Sequence, residues 1–177
     1  KGLLVVDEAY IDFYGGSSID LIREFDNVII TRSFSKSYSL AGLRVGLAIA
    51  NEEIINGLFK LKDSYNIDSL ALAGAAAALL DTRSFNYNIG MLRNNKEYME
   101  EVLAGMGFKT VPSRANFIFT KHPSVSSEII YKKLKEQKIL VRYFNGPVQS
   151  EYVRISVGTM MDIKKLCATI ESILEEV

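Results

Sequence analysis

VIITRSFSKSYSLAGLRVG, residues 28–46, is the stretch that decides the fold. It begins with Val28 to Thr31, a run of β-branched residues typical of a buried strand, and continues into a polar turn. The chemistry-bearing side chains of that turn are Ser33, Ser35 and Lys36. Hydroxyls and backbone amides at the end of a buried strand can hold an anion, and Arg44 can grip a phosphate through two parallel hydrogen bonds. The stretch therefore predicts an amine beside an anion site.

Lys36 is weak evidence by itself, because most lysines in polar turns are solvated surface charges. A second stretch strengthens the hypothesis. LLVVDEAY, residues 3–10, is a continuous apolar run of the kind found in a parallel strand buried on both faces, and it leads to Asp7. Parallel strands present their carboxyl ends at one edge of a sheet. We therefore expect Asp7 and Lys36 to face the same crevice.

The composition is that of a globular protein. The chain has 177 residues, 48% of them hydrophobic, which is enough to build one large domain or two small ones. Lys plus Arg and Asp plus Glu both number 21, so the one-sided charge of a nucleic-acid binder is excluded. The single cysteine, Cys167, lies in an apolar helical pattern and is interpreted as a core residue. A reducing compartment is compatible with this.

No segment is long enough to cross a membrane. The longest uncharged apolar stretch, residues 69–80, is shorter than the ~20 residues that a bilayer requires, and no signal peptide is visible. We predict a cytoplasmic protein without a membrane partner. The chain begins at Lys1, directly in a strand of the buried type, so we expect that an N-terminal portion precedes it.

Periodicity predicts the remaining elements. In the first half we expect a strand over residues 44–50, with Arg44 on the same face as Gly46, and helices over 52–61, 69–81 and 85–106, the last long enough to link two domains. In the second half we expect strands at 115–120, 139–143 and 152–157, a helix at 126–138 and a last helix after Thr159. This alternation predicts a small α/β layer. Arg154 lies opposite the apolar face of its strand, where an ordinary solvated arginine is the alternative interpretation.

The polar residues match the requirements of a pyridoxal phosphate site. Such a site needs an amine, a carboxylate facing the ring nitrogen, a hydroxyl near the ring oxygen and donors for the phosphate. Lys36 is a candidate for the Schiff base and for the base that moves the substrate proton. Asp7 can keep the pyridine nitrogen protonated, and Tyr10 can donate to the phenolate oxygen. The candidates for the phosphate are Ser33, Ser35 and Arg44.

Three motifs make the chain resemble a known family. DEAYIDF at 7–13, SFSKSYSLAGLRVG at 33–46 and VRISVGT at 153–159 resemble fold-type I pyridoxal-phosphate aminotransferases, most closely the histidinol-phosphate aminotransferases. The resemblance covers essentially the whole chain but only the later part of those enzymes. It implies an α/β fold, with a mostly parallel sheet segment of the large cofactor-binding domain in residues 1–87 and a small α/β domain in 88–177.

The resemblance also implies roles for single residues. It makes Lys36 the lysine that binds pyridoxal phosphate, Asp7 and Tyr10 cofactor contacts, and Ser33, Ser35 and Arg44 phosphate ligands. It implies that Arg154, together with Arg142 of the ILVRYF stretch, binds the anionic group of the substrate, and it implies no metal. Ser39 and Leu47 stand where relatives often have a small and an aromatic residue. The family's phosphate loop, stacking ring and ring-oxygen asparagine would all precede Lys1.

The activity implied is transamination of histidinol phosphate with 2-oxoglutarate in histidine biosynthesis, by a homodimer whose pocket includes residues of both subunits. Threonine-phosphate decarboxylases and aromatic amino acid aminotransferases share these motifs and stay open as alternatives. So does a different class, a non-catalytic C-terminal fragment whose residues only pack or pair with a partner. We expect the 177-residue chain alone to be inactive, because the opposite wall of the pocket would come from other segments.

Overall fold

The apolar stretch at residue 28 forms the middle strand of a three-stranded sheet in the computed structural model, which describes residues 2–176. Its strands are β1 (Leu4–Asp7), β2 (Val28–Ser33) and β3 (Gly46–Ala50), in the order β1-β2-β3. β1 and β2 are parallel, whereas β2 and β3 are antiparallel. The expectation of mostly parallel strands holds for the first pair only. The chain returns to β3 through residues 34–45, which contain one 3-10 turn but no α-helix that could carry the chain across to a parallel position.

The two neighbouring strands β1 and β2 differ in burial. Val28, Ile29 and Ile30 of β2 are buried, whereas Leu4 and Val5 of β1 are 51% and 57% exposed. Within the described residues, β1 is therefore not covered on both faces, although its sequence is of the type that is buried. β1 is an edge strand that pairs only with β2, and no described element covers its apolar side chains.

Helices α1 (Leu21–Glu24), α2 (Glu52–Leu61) and α3 (Ser69–Leu80) accompany this sheet. As predicted, Asn51 caps α2, since its side chain accepts a hydrogen bond from the Ile54 N–H at 3.1 Å. Small residues let α3 pack closely: Ala71 and Ala75 are buried in one cluster with Phe34 and Val45. The loop that carries Lys36 is therefore anchored on α3 through Phe34.

The second half of the chain contains one long helix and a second sheet. In chain order the elements are α4 (Thr82–Gly105), β4 (Lys109–Val111), β5 (Phe117–Lys121), α5 (Ser127–Glu136), β6 (Arg142–Tyr143), β7 (Val153–Ser156) and α6 (Met160–Glu175). The sheet order is β4-β5-β7-β6 and all its pairs are antiparallel. The chain divides into two compact units, Lys1–Ile89 (unit 1) and Gly90–Val177 (unit 2), and the division falls within α4.

The sequence did not predict β4 and overestimated β6. β4 is three residues long and only half-buried at Thr110, so its period-2 signal is weak. The predicted strand over 139–143 shrinks to two residues because the chain first closes helix α5. The Lys138 N–H donates to Lys135 O and the Ile139 N–H to Leu134 O, with Lys138 in the left-handed conformation.

The core of unit 2 is closed. Its fully buried members come from α4, α5, α6 and the central strands, and they are Met99, Leu103, Ile118, Ile130, Leu134, Val153 and Ile170. The predicted capping box at the start of α6 is present, with Thr159 and Asp162 each bonded to the other's backbone N–H. Cys167 is a core residue, as interpreted from its helical pattern, and burial raises the pKa of its thiol.

Candidate active site

The carboxyl ends of β1 and β2 lie side by side in unit 1. Asp7 is the last residue of β1 and is paired in register with Thr31, while Ser33 is the last residue of β2. The turn after β1 carries Tyr10, and the loop after β2 carries Lys36. The Lys36 Nζ lies 5.6 Å from the centroid of the Tyr10 ring. The structure thus brings the lysine and the tyrosine together at one edge of the sheet.

Lys36 and Asp7 are both exposed at this edge. The Asp7 carboxylate accepts a hydrogen bond from the Ala9 N–H at 3.0 Å, which holds it at the mouth of the turn. Within residues 2–176, the Lys36 amine makes no hydrogen bond or ion pair, and its described contact is the Tyr10 ring. An exposed amine without an acidic partner is available to react with a carbonyl compound.

The two serines of the motif are joined by a hydrogen bond. The Ser35 N–H donates to Ser33 Oγ at 3.1 Å. Ser33 closes β2 instead of lying in the turn, and it is paired in register with Gly46 of β3. This pairing places the residues just before Gly46, including Arg44, beside the serine loop, since the Phe34 N–H donates to Val45 O at 3.1 Å.

The prediction that Arg44 belongs to β3 is wrong. Arg44 follows a 3-10 turn and has a left-handed backbone, with φ of 56°, so β3 begins only at Gly46. Its guanidinium is exposed and donates from Nη1 to Ala41 O at 3.0 Å. Arg44 therefore belongs to the loop between β2 and β3, as Ser35 does, and not to the face of the sheet.

A buried ion pair that the sequence analysis missed connects the two strand ends. Glu8 is buried, and the Arg32 guanidinium donates to its Oε2 from Nη2 at 2.9 Å and from Nε at 3.1 Å. The Ser17 hydroxyl and the Ser18 N–H donate to the same carboxylate. Burial acts to raise the pKa of Glu8, but these donors outweigh it and the pKa lies below its ordinary value.

The strand register explains this pair. Because Asp7 lies beside Thr31 in a parallel pair, the next residues of the two strands, Glu8 and Arg32, are brought close together. The pair lies one residue after Asp7 and one before Ser33. The sequence analysis also missed a second contact, in which the Ser37 hydroxyl donates to Asp12 Oδ2 at 2.5 Å. The two residues are 25 positions apart, so no local sequence pattern predicts this hydrogen bond.

The two predicted substrate-binding arginines are neighbours in unit 2. Arg142 of β6 and Arg154 of β7 are register partners. The Arg154 guanidinium carbon lies 5.1 Å from the centroid of the Phe117 ring and 5.6 Å from that of Phe144, and Arg142 lies 5.2 Å from the Phe144 ring. Arg154 is therefore stacked among aromatic rings and is not the ordinary solvated arginine that its pattern left open.

Neither arginine has an acidic partner in the described part of the chain. The Nε of Arg154 is buried and has no hydrogen-bond partner among the described residues. Its side chain is thus oriented by the two phenylalanines and not by a carboxylate. A positive charge that is fixed in place and uncompensated is suited to an external anion. In the sequence, the signal for this stacking is the alternation of strand β5, which puts Phe117 on the face opposite the buried Ile118.

Residues 2–176 contain no cluster of His, Cys, Asp and Glu that could hold a metal ion. None of the helices described is both long and apolar enough for a membrane span. The donor set at the strand ends of unit 1 instead consists of an amine, a carboxylate, a phenol, two hydroxyls and a guanidinium. These groups match a ligand that has a carbonyl carbon, a basic ring nitrogen and a phosphate.

Comparison with known proteins identifies the family. Residues 1–170 match the family model of aminotransferase class I and II. The histidinol-phosphate aminotransferase of Syntrophotalea carbinolica is 45% identical over 172 residues, which are 97% of this chain and 50% of that protein. Histidinol-phosphate aminotransferase 1 of Trichormus variabilis is 46% identical over 159 residues, 90% of this chain and 45% of that protein. The chain spans about half the length of the curated relatives it matches.

A solved structure agrees with the fold. The crystal structure of histidinol-phosphate aminotransferase from Sinorhizobium meliloti in complex with pyridoxal-5'-phosphate has a TM-score of 0.88 and 25% sequence identity. The alignment covers 98% of this chain and 49% of that one. The expected fold class, part of a fold-type I aminotransferase, is thereby confirmed. By its sequence and its fold, this chain belongs to the class I and II aminotransferase family.

Proposed function

We propose that this chain supplies the lysine-bearing wall and the substrate-binding arginines of a pyridoxal-phosphate-dependent aminotransferase that acts on histidinol phosphate. One observation carries the proposal: the Lys36 amine lies beside Tyr10 at the parallel strand ends of a chain that is 45% identical, over 97% of its length, to a histidinol-phosphate aminotransferase. Pyridoxal phosphate, when bound, supplies an electron sink for the charge that develops at the substrate Cα.

Each of these residues of unit 1 would have its own task. Lys36 would hold the cofactor through its amine and would move the proton at the substrate Cα. The Asp7 carboxylate, at the end of a parallel strand, would keep a basic ring nitrogen protonated by charge attraction. The Tyr10 phenol would be a donor to the ring oxygen. Ser33, Ser35 and Arg44 would be the donors for the phosphate.

Arg154 and Arg142 bind the substrates. Histidinol phosphate carries a phosphate and 2-oxoglutarate carries carboxylates, so one guanidinium that is stacked on aromatic rings serves both half-reactions. The aromatic rings around Arg154 exclude water and strengthen the charge-assisted hydrogen bonds that it makes. The partners in this proposal are therefore a small amino donor and a 2-oxo acid, and the enzyme is a cytoplasmic homodimer of histidine biosynthesis.

The proposal is tested with the protein that carries this chain, purified and supplied with pyridoxal phosphate. Histidinol phosphate and 2-oxoglutarate should yield glutamate, identified by mass spectrometry. Threonine phosphate and aromatic amino acids are the comparison substrates, because related enzymes share the same motifs. Preferred decarboxylation of threonine phosphate, or faster transfer from an aromatic amino acid, would overturn the substrate assignment while keeping the cofactor.

The cofactor assignment has its own test. Borohydride should fix the cofactor to the peptide that contains Lys36, and a label on another lysine would contradict the assignment. The same measurement on the 177-residue chain separates an enzyme portion from a non-catalytic fragment. We expect the chain by itself to show no transamination, since Asp7, Lys36 and Arg44 are all exposed and form only one wall. Turnover equal to that of a longer protein would overturn this expectation.

A further inference from the structure

Two segments of unit 1 lie against each other at the candidate site. The first is the turn after β1, which includes Tyr10 and the 3-10 helix Ile11–Phe13. The second is the loop after β2, residues 34–40, which carries Lys36. The segments are joined at neighbouring positions, because the Lys36 Nζ lies 5.6 Å from the Tyr10 ring and the Ser37 hydroxyl donates to Asp12 at 2.5 Å. The position of the amine depends on both segments.

The 3-10 helix that carries Asp12 is held in place by packing and by backbone hydrogen bonds. Asp12 is the middle residue of the 3-10 helix, and the next residue, Phe13, is 1% exposed. The Tyr14 and Gly15 N–H groups donate to Ile11 O, which closes the turn. The carboxylate that receives the Ser37 hydroxyl is therefore held by a buried ring and by backbone hydrogen bonds.

The lysine loop, residues 34–40, is closed by its own backbone hydrogen bonds. The Leu40 N–H donates to Phe34 O, and the Ser39 N–H donates to Lys36 O, both at 3.0 Å. Phe34 is buried, and its ring lies 4.9 Å from the ring of Tyr38. Burial, and after it the negative charge of Asp12, raise the pKa of the Tyr38 phenol. The Asp12 carboxylate thus acts on both residues that follow Lys36.

We propose that Asp12 is a positioning residue, which acts through Ser37 to hold the Lys36 amine against the Tyr10 turn. Ser37 is buried and directly follows Lys36, so a fixed Ser37 restricts where the lysine backbone can lie. The Glu8–Arg32 pair fixes the same two segments farther back, where they leave the sheet. The inference rests on the proposed role of Lys36, and it assigns Asp12 and Ser37 a function that the lysine motif alone does not provide.

Loss of the Ser37–Asp12 hydrogen bond should be costly. A hydroxyl that donates to a carboxylate makes a charge-assisted hydrogen bond, and its removal leaves a buried polar group unpaired. Without it, residues 34–40 keep their own backbone bonds but lose their hydrogen bond to the 3-10 helix that follows Tyr10. We therefore expect local freedom of the lysine loop, without unfolding of unit 1.

The test compares Asp12→Ala, Ser37→Ala and Asp12→Asn in the protein that carries this chain. In the cofactor-free protein, hydrogen exchange of residues 34–40 should accelerate about tenfold in the two alanine variants. The rate at which an amine reagent labels Lys36 at a fixed pH should change with it, and pyridoxal phosphate should bind about tenfold more weakly. Asp12→Asn keeps an acceptor oxygen for Ser37 and should remain within about threefold of the parent.

Asn51→Ala is the matched control. Asn51 is also an acceptor in unit 1, where it caps α2 through the Ile54 N–H at 3.1 Å. It follows the end of β3 that pairs with Ile29, away from Ser33 and the lysine loop. Its loss should lower stability but leave residues 34–40 and Lys36 labelling unchanged. Equal effects of Asn51→Ala and Asp12→Ala on loop exchange would overturn the positioning role, as would an unchanged loop in Ser37→Ala. A parent protein that binds no pyridoxal phosphate would refute the proposed function instead, while exchange and labelling would still decide the role of Asp12.

Discussion

The sheets of the two units are built from similar apolar strands, yet they are covered differently. In unit 2, Ile118, Val153 and Ile155 are buried against α4, α5 and α6. In unit 1, Leu4 and Val5 of the edge strand are more than half exposed, although their sequence is at least as apolar. An apolar run therefore indicates that a strand needs other elements packed on its faces. Only the tertiary structure shows whether the same chain provides those elements. Lys36, the proposed cofactor lysine, lies in unit 1, the unit with the exposed edge strand.

The candidate site residues are also divided between the units. Unit 1 carries Asp7 at the end of a strand and Tyr10 and Lys36 on the turns that follow strands, where neighbouring side chains and backbone bonds set their positions. Unit 2 carries Arg154 within a strand whose other face is fully packed. A residue on a packed strand is oriented by the whole sheet, whereas a loop residue relies on a few specific contacts. Changes near Lys36 should therefore affect function without global unfolding.

The largest effect is expected from Lys36→Arg. A guanidinium keeps the positive charge but cannot form the covalent link to the cofactor, so turnover should fall by about 10²–10⁴-fold or more. Both units should keep their circular dichroism and their hydrogen-exchange protection. Lys60→Arg, a matched change at an exposed lysine of α2, should leave turnover unchanged. Substantial transamination by Lys36→Arg would show that the chemistry does not lie in unit 1.

The difference in cover is tested by two truncations. Ile118→Ala removes a fully buried side chain of unit 2 and should lower the free energy of unfolding by about 2–5 kcal/mol. Leu4→Ala removes a side chain that is 51% exposed and should cost less than about 1 kcal/mol in the 177-residue chain. Urea denaturation followed by circular dichroism measures both. Equal costs would mean that β1 is covered in solution.

The buried pair of unit 1 predicts a pH-dependent stability. Glu8→Gln removes the charge that faces Arg32 and should cost about 2 kcal/mol at pH 7, because Glu8 is buried. The pKa of Glu8 is lowered on folding, so its contribution is present above the ordinary value of 4.5 and is lost as the pH falls through the lower folded value. Parent and variant should therefore converge in acid. A constant difference from pH 7 to pH 3 would contradict this.

Arg154→Ala tests the proposal that unit 2 binds the substrates while unit 1 binds the cofactor. The loss of a charge-assisted contact should weaken binding of both amino donor and acceptor by about 1.5–3 kcal/mol, which is roughly tenfold or more in KM. Cofactor absorbance should stay intact, since Arg154 belongs to unit 2. Lys164→Ala, on the exposed side of α6, is the control. Unchanged KM values would remove Arg154 from the substrate site.

Local patterns were sufficient for much of the molecule. The β-branched run at residue 28 correctly predicted β2, and the Asn51 and Thr159 caps correctly marked the starts of α2 and α6. These features depend on side chains within a few residues of each other, which the order of the sequence specifies directly. The motifs around Asp7, Lys36 and Arg154 likewise predicted the family to which the chain belongs.

Only the tertiary structure decided which distant residues meet. The Glu8–Arg32 pair depends on strand register, the Asp12–Ser37 bond depends on two loops that converge, and the stacking of Arg154 depends on Phe144 from a separate loop. The exposure of β1 likewise depends on which elements pack beside it. Such contacts join segments far apart in the chain, and their free energy is gained only when the whole unit folds. Periodicity therefore determined the elements, whereas packing and register determined the site that they form.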